Sequence, residues 1–379
     1  QDEEYGRLRE ALMQYRAAAS NGWPQVPEGK PLKVGDTDSP ARLQALRARL
    51  AAEGLLADSG AAPASASPAP ANGAGATPRT PARAGGATYD QALAKGVEAF
   101  QTLHGIPVDG TLGEETVKSM NTPVSYRLGQ IAANLERHRW LPRNLGRRYI
   151  YVNVPAFMLT AYDAGKKALE MKVIVGQEYE DKATPVFSDS METVVFRPYW
   201  NVTPDIQSKE LEPKIAANPG YMAEHNYEWY NDGGTRRIRQ RPGGENSLGL
   251  VKFLFPNDFN IYLHDTPSRE LFEKDVRAFS HGCIRVQQPA QLASWVLGWD
   301  QGKVESAMQG GGDNKSVRLP KKLPVYIVYA TAYVKDGRLA FGNDLYRRDD
   351  DLIREMQSWA TPDPGHVQAL QALMKIVGD

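Results

Sequence analysis

Ile261-Tyr262-Leu263-His264-Asp265-Thr266 is followed, after the fifteen residues 265 to 279 that separate His264 from Ser280, by Ser280-His281-Gly282-Cys283-Ile284-Arg285. Cys283 is the single cysteine of 379 residues, so the chain has no intramolecular disulfide framework and too few thiols for a Cys-rich zinc site. A lone thiol is ordinarily a small core residue. Ser, His and Gly around it are poor core-packing neighbours, which points instead to a reactive sulfur. Such a nucleophile needs a base or positive surroundings that favour the thiolate over a free pKa of about 8.5. His264 and His281 are the two candidate bases. His281 would share a side with Cys283 in an extended chain, but Gly282 lets the backbone turn between them. His264 comes from a separate segment and can face the sulfur across a site.

The neighbours of the cysteine have readings of their own. Gly282 leaves the backbone bare, so the amides of Gly282 and Cys283 can form an oxyanion hole. Arg285 carries a planar donor fork that suits a carboxylate, with a surface salt bridge as the alternative. Ser280 and Tyr262 either orient the histidines or satisfy backbone groups. His104, His138, His225 and His366 have no partners at metal-ligand spacing, so no metal and no cofactor is expected.

Around this pair of motifs the chain reads as a β domain. Tyr149–Val154, Phe157–Tyr162, Leu169–Val175, Thr193–Phe196, Lys252–Phe255, Asn260–His264 and Val325–Tyr329 are short, rich in β-branched and aromatic residues, and bounded by Gly, Pro, Asn and Asp. That density of short strands predicts a sandwich-like or barrel-like sheet. Between Pro204 and Leu250 the strand pattern lapses into a stretch read as helical, holding Tyr221, Tyr227, Trp229 and Tyr230. An insertion of that length beside a site predicts a lid or cap. Trp200, just before it, reads as core or as a substrate platform.

The Ser-His-Gly-Cys turn with an upstream strand-ending histidine resembles the active-site signature of the L,D-transpeptidases. The resemblance runs from Tyr149 to Phe341, and Pro198-Tyr199-Trp200-Asn201 is similar to a feature of the larger, lid-bearing members. It implies Cys283 as nucleophile and His264 as base, with His281 and Gly282 completing the catalytic set. Arg285, Ser280, Tyr262, Trp200, Tyr199 and Asn201 fall on the substrate side. The implied substrates are peptidoglycan tetrapeptide stems, with Cys283 attacking the carbonyl of the third, diamino acid residue and releasing D-Ala. A neighbouring stem amine as acceptor gives a 3→3 cross-link, water makes the enzyme an L,D-carboxypeptidase, and a lipoprotein lysine gives an outer-membrane tether. A carbapenem is implied as covalent inhibitor, and the periplasm as the location. A catalytically idle wall-binding scaffold would need a damaged signature. A papain-like protease is disfavoured because the histidine precedes the cysteine.

The first third is helical. Residues 3–20 carry Tyr5, Leu8, Leu12 and Tyr15 at helical spacing, and Ala41–Leu56 follows the candidate caps Asp36 and Ser39. Residues 57–88 are almost wholly Ala, Pro, Gly, Ser and Thr, which predicts a disordered insert. Leu93, Val97 and Phe100 lead to Gln101 and then to the turn Val108-Asp109-Gly110-Thr111, before a helix at Glu114–Met120. From Lys33 to Asn121 this resembles the three-helix peptidoglycan-binding domain. Ser125–Trp140, Asp349–Ala360 and Gly365–Val377 read as further helices, the last two returning to pack on the opening ones.

The expectation is therefore an α+β multidomain protein. It has a helical scaffold (1–32), a peptidoglycan-binding-like domain (33–121), a connecting helix (122–147), a mostly-β catalytic domain (148–345) with a capping insertion (204–250), and C-terminal helices (346–379). Lys plus Arg and Asp plus Glu number 45 each, so no global field recruits nucleic acid. No apolar run approaches the roughly 20 residues of a membrane span. The start at Gln1 without a basic-then-apolar leader fits a chain trimmed of its export signal. A monomer is expected.

Overall fold

The computed structural model describes residues 2–21, 23–56, 87–178 and 182–360, which divide into two compact units. Most of the predicted insert and the predicted helix 365–377 lie outside these residues. The insert does end earlier than expected: Ala87–Thr88 pairs antiparallel with Thr37–Asp38. Among the described residues no helix is long and apolar enough to cross a membrane.

The helical unit takes in the described residues of 2–136, 332–342 and 349–360. Pro40–Ala52, Gln91–Leu103 and Glu114–Met120 bury Leu43, Leu46, Leu50, Leu93, Val97, Phe100, Val117 and Met120 in one core. Ser39 caps the first of these helices by accepting from the Arg42 amide. Asp36, the other candidate cap, accepts from the Lys33 amide instead. The Phe-Gln and Val-Asp-Gly-Thr motifs are coupled physically. The Gln101 Oε1 accepts from the amides of Asp109 and Gly110, and its Nε2 donates to Asp109 Oδ1 at 2.8 Å. One buried amide thereby satisfies a turn that has no regular structure to do so.

Two features of this unit depart from the sequence reading. The hairpin Ala332–Lys335 with Arg338–Phe341 belongs here and not with the sheet, because Ala332 and Phe341 pack against Leu8, Ile131 and Leu135. Helix Arg348–Ala360 meets the Val124–Arg139 helix, where Gln130 Nε2 donates to Asp349 Oδ2 at 3.1 Å.

The second unit, residues 137–331 and 343–348, is built on a nine-stranded sheet. Its strands are β1 (Arg148–Asn153), β2 (Met158–Asp163), β3 (Lys166–Gly176), β4 (Phe187–Phe196), β5 (Val251–Leu254), β6 (Leu263–His264), β7 (Ala278–Ser280), β8 (Ile284–Val286) and β9 (Lys315–Val328). The order is β7-β3-β8-β6-β5-β4-β9-β1-β2, and β2 also pairs with β3. That pairing closes the sheet on itself, a way of removing exposed edges. Inward residues such as Val152, Leu159, Val173, Val194, Phe253, Leu263 and Ile284 form the core, which helices Pro289–Leu297 and Gln301–Gln309 cover with Leu292, Val296 and Val304.

The insertion after β4 is only half helical. Short helical turns from Pro204 to Glu224 are followed by a hairpin, Tyr227–Asp232 with Thr235–Gln240, to which Trp200–Asn201 adds a third strand. Aromatic and β-branched residues around Asp232-Gly233-Gly234 favour a hairpin, and both glycines have positive φ. Val202, Leu211 and Ile238 give the insertion a small core of its own.

Candidate active site

Strand register sets the site. Lys252 on β5 lies opposite His264 on β6, and His264 lies opposite Arg285 on β8. Directly opposed residues project from the same face, so the three side chains form a row across three strands. Cys283 enters this row from the turn before β8, two residues ahead of Arg285.

That turn is held by buried hydrogen bonds. The Ser280 hydroxyl donates to the Cys283 carbonyl at 2.5 Å and accepts from the Gly282 amide at 3.2 Å. Ser280 therefore closes the loop and does not orient a histidine. Gly282 sits at φ +114°, a conformation other residues rarely adopt, and an added Cβ would lie 3.1 Å from Ile261. Because its N–H is engaged by Ser280, the expectation that the Gly282 amide serves an oxyanion hole fails. The Gly282 carbonyl accepts from Thr184 Oγ1 at 2.8 Å. Thr184 in turn accepts from the Gly176 amide, and Tyr346 donates to the Gly176 carbonyl, so the end of β3 braces the nucleophile turn.

His264 is buried, and its Nδ1 lies 2.5 Å from the Asp265 carbonyl oxygen. A carbonyl only accepts, so Nδ1 carries the proton and Nε2 keeps its lone pair. Burial drives the His264 pKa down to about 3, with the Arg285 and Lys252 charges adding to the drop and the Asp265 bond opposing it. Burial also pushes the Cys283 thiol up to about 11, against the pull of the Tyr262 amide and hydroxyl and of Arg285 and Lys252. Both shifts favour a neutral thiol and a neutral imidazole at rest. Tyr262 thus serves the sulfur, while its ring lies 5.7 Å from that of His264.

His281 turns away from this cluster. Its Nε2 is 2.7 Å from Glu210 Oε1 on the insertion. Burial works against the Glu210 carboxylate, but the His281 hydrogen bond and the His281, Lys182 and Lys214 charges outweigh it and hold the pKa below its usual value. Tyr199, Trp200 and Asn201 make their contacts within the insertion. Trp200 packs on its core, the Arg239 guanidinium stacks on Tyr199 at 4.0 Å, and Asn201 pairs with Arg239. The aromatic pair is a structural root of the insertion.

Residues 147–327 match the model of the L,D-transpeptidase catalytic domain, and residues 78–120 match a “Putative peptidoglycan binding domain”. Nearly half of the chain is thus similar to the L,D-transpeptidase catalytic domain. A Haemophilus influenzae protein described as “Putative L,D-transpeptidase” is 32% identical over 250 residues, covering 61% of this chain and 50% of the relative. The chain thus spans about half the length of that curated relative. Two solved structures are also similar. An L,D-transpeptidase from Stackebrandtia nassauensis is 13% identical, covers 83% of this chain and 100% of its own, and has a TM-score of 0.28. One from Xylanimonas cellulosilytica is 15% identical, covers 80% and 100%, and has a TM-score of 0.24.

Four residues of the second unit escaped the sequence reading: Lys252, Thr184, Tyr346 and Glu210. A charged residue alternating with Val251 and Phe253 was a visible signal for Lys252. Its place beside His264 depended on a strand pairing that local sequence does not contain.

Proposed function

We propose that the protein is a cysteine-dependent L,D-transpeptidase that joins peptidoglycan stem peptides by 3→3 cross-links. The observation that carries this reading is the row Lys252–His264–Arg285 beside the sole cysteine, within a stretch similar to that family's catalytic domain. The Cys283 sulfur attacks the carbonyl carbon of the diamino acid at the third stem position while its proton passes to His264 Nε2. The Cys283 amide is the donor left for the developing oxyanion, since that of Gly282 is engaged. The C–N bond to D-Ala breaks, and His264 returns the proton to the leaving amine. A side-chain amine of a second stem then attacks the thioester, forms the new amide and restores the thiol. A neutral pair at rest suits this sequence, because charge separation occurs only as the carbonyl arrives.

Water as acceptor makes the same site an L,D-carboxypeptidase, and a lipoprotein lysine makes it a tethering enzyme. The insertion favours cross-linking. The contact of its Glu210 with His281 in the nucleophile turn supports a role in ordering a second peptide and limiting water. The match to a peptidoglycan-binding domain and this substrate support work outside the cytoplasm, and the location proposed is the periplasm. A carbapenem offers a strained carbonyl that Cys283 would open in the same way. Incubation of the purified protein with disaccharide-tetrapeptide, read by mass spectrometry, tests the proposal: loss of one alanine with dimer formation is expected. Cys283→Ala should produce neither. No change with the intact protein would support an idle scaffold, and turnover in the alanine variant would overturn the mechanism.

A further inference from the structure

Among the described residues, neither Lys252 nor Arg285 forms an ion pair with a carboxylate. The Cys283 side chain lies close enough to act on both, as a thiolate would once formed, and the Glu270 carboxylate also acts on Arg285. The Nε of Arg285 is buried and has no hydrogen-bond acceptor. Three other arginines of the same unit have acceptors or carboxylate partners. Arg277 donates to the carbonyls of Val173, Phe157 and Lys274, Arg269 pairs with Asp265, and Arg197 with Asp313. Two partly buried positive groups left unpaired on one face of a sheet are costly unless an anion completes them.

We infer that Lys252 and Arg285 form a carboxylate cradle beside Cys283, which holds the free C-terminal carboxylate of the donor's leaving amino acid. The register carries the first half of this statement. The two residues flank His264 on adjacent strands, so their backbones lie about 10 Å apart, at roughly 4.8 Å per strand, and both side chains rise from the same face. A carboxylate between their tips satisfies both. The Lys252 ammonium also stands 5.8 Å from the centre of the ring of Tyr262, a residue that hydrogen-bonds to the Cys283 sulfur. Connectivity carries the second half. The terminal carboxylate is separated from the scissile nitrogen by one carbon, so an anion site next to the nucleophile matches the leaving residue. The carboxylate at the far end of the diamino acid side chain is several bonds further away. The cradle would restrict the enzyme to stems that end at the fourth residue, since an amide or a further residue there removes the charge.

The choice of substrate rests on the transpeptidase reading, but the cradle itself does not, and alkylation of Cys283 separates the two. Iodoacetate and iodoacetamide differ only in charge, and both lose iodide as the sulfur–carbon bond forms. Relative to a free thiol such as glutathione, the folded protein should prefer iodoacetate over iodoacetamide by about tenfold. Lys252→Gln and Arg285→Gln should each bring the ratio to within about twofold of glutathione, and Lys252→Arg should retain most of it. A wild-type ratio at or below that of glutathione, or one untouched by Lys252→Gln, overturns the cradle. So does a thiol that neither reagent reaches under conditions that label the unfolded chain. A second arm compares tetrapeptide donors with free and amidated C-termini. Amidation should raise KM about tenfold in the wild type and hardly at all in Lys252→Gln. Reagent preference without turnover of any stem would refute the transpeptidase reading and leave the cradle standing, whereas equal use of both donors would refute the assignment of its ligand.

Discussion

The reactivity of Cys283 should report the neutral resting pair directly. Burial lifts the thiol from an ordinary 9.0 to about 11, and burial holds His264 near 3, so proton transfer between them at rest is uphill. A thiol raised that far keeps about a hundredth of the thiolate that an ordinary one shows, or about 10⁻⁴ of the total at pH 7. In the free protein, alkylation by iodoacetamide should therefore be roughly a hundredfold slower than for a simple thiol at neutral pH. It should climb about tenfold per pH unit from 7 to beyond 9, and should not level off near neutrality. Initial rates measured from pH 5 to 10, with the adduct located by peptide mass spectrometry, give the profile. A plateau between pH 5 and 8 would reveal a preformed thiolate–imidazolium pair and refute the reasoning. Removing a cation also has a defined sign: Arg285→Gln should raise the pKa of both Cys283 and His264, because the guanidinium favours the thiolate and disfavours the imidazolium.

Other perturbations test the turn, the cap and the helical unit. Gly282→Ala forces a side chain into φ +114° against Ile261, at a cost of about 1–3 kcal/mol, and should lower cross-linking at least a hundredfold while thermal melting shows a folded protein. His264→Ala should abolish D-Ala release almost as fully as Cys283→Ala, and His281→Ala should do less harm, since His281 is bonded to Glu210; the reverse order in a stem-peptide assay would show that the wrong base is assigned. Replacing 204–250 by a short Gly-Ser linker should spare reaction with a carbapenem and remove stem dimerisation, and undiminished dimer formation would contradict the cap. In the helical unit, burial of Glu53 is outweighed by His104 and Arg49, which hold its pKa below the unfolded value of 4.5, while burial lowers that of His104 below 6.5. On acidification the unfolded chain takes up protons that the folded one refuses, first at histidine and then at the carboxylate. Amide exchange of Pro40–Ala52 and Gln91–Leu103 should therefore accelerate as pH falls through 6.5 and again below 4.5, after correction for intrinsic rates.

Sequence alone determined what depends on neighbours along the chain. Helical spacing of Leu43, Leu46 and Leu50, the Ser39 cap and the turn after Gln101 are local patterns, and the helices formed where those patterns lie. The lone cysteine between Gly282 and Ile284, with His264 upstream, was legible because a reactive thiol requires unusual neighbours. Short β segments could be placed, though Thr193–Phe196 and Val325–Tyr329 proved to be the ends of the longer Phe187–Phe196 and Lys315–Val328. Tertiary structure decided everything that depends on which strand meets which. It set Lys252 opposite His264, engaged the Gly282 amide with Ser280, turned His281 towards Glu210, and drew the 332–341 hairpin to Leu8 and Ile131. Strand register is fixed by burying one face of a whole sheet, and a slip of one residue would send every side chain to the other side. No local window contains that information, so Arg285 could be singled out from the sequence while its partner Lys252 emerged only from the strand pairing.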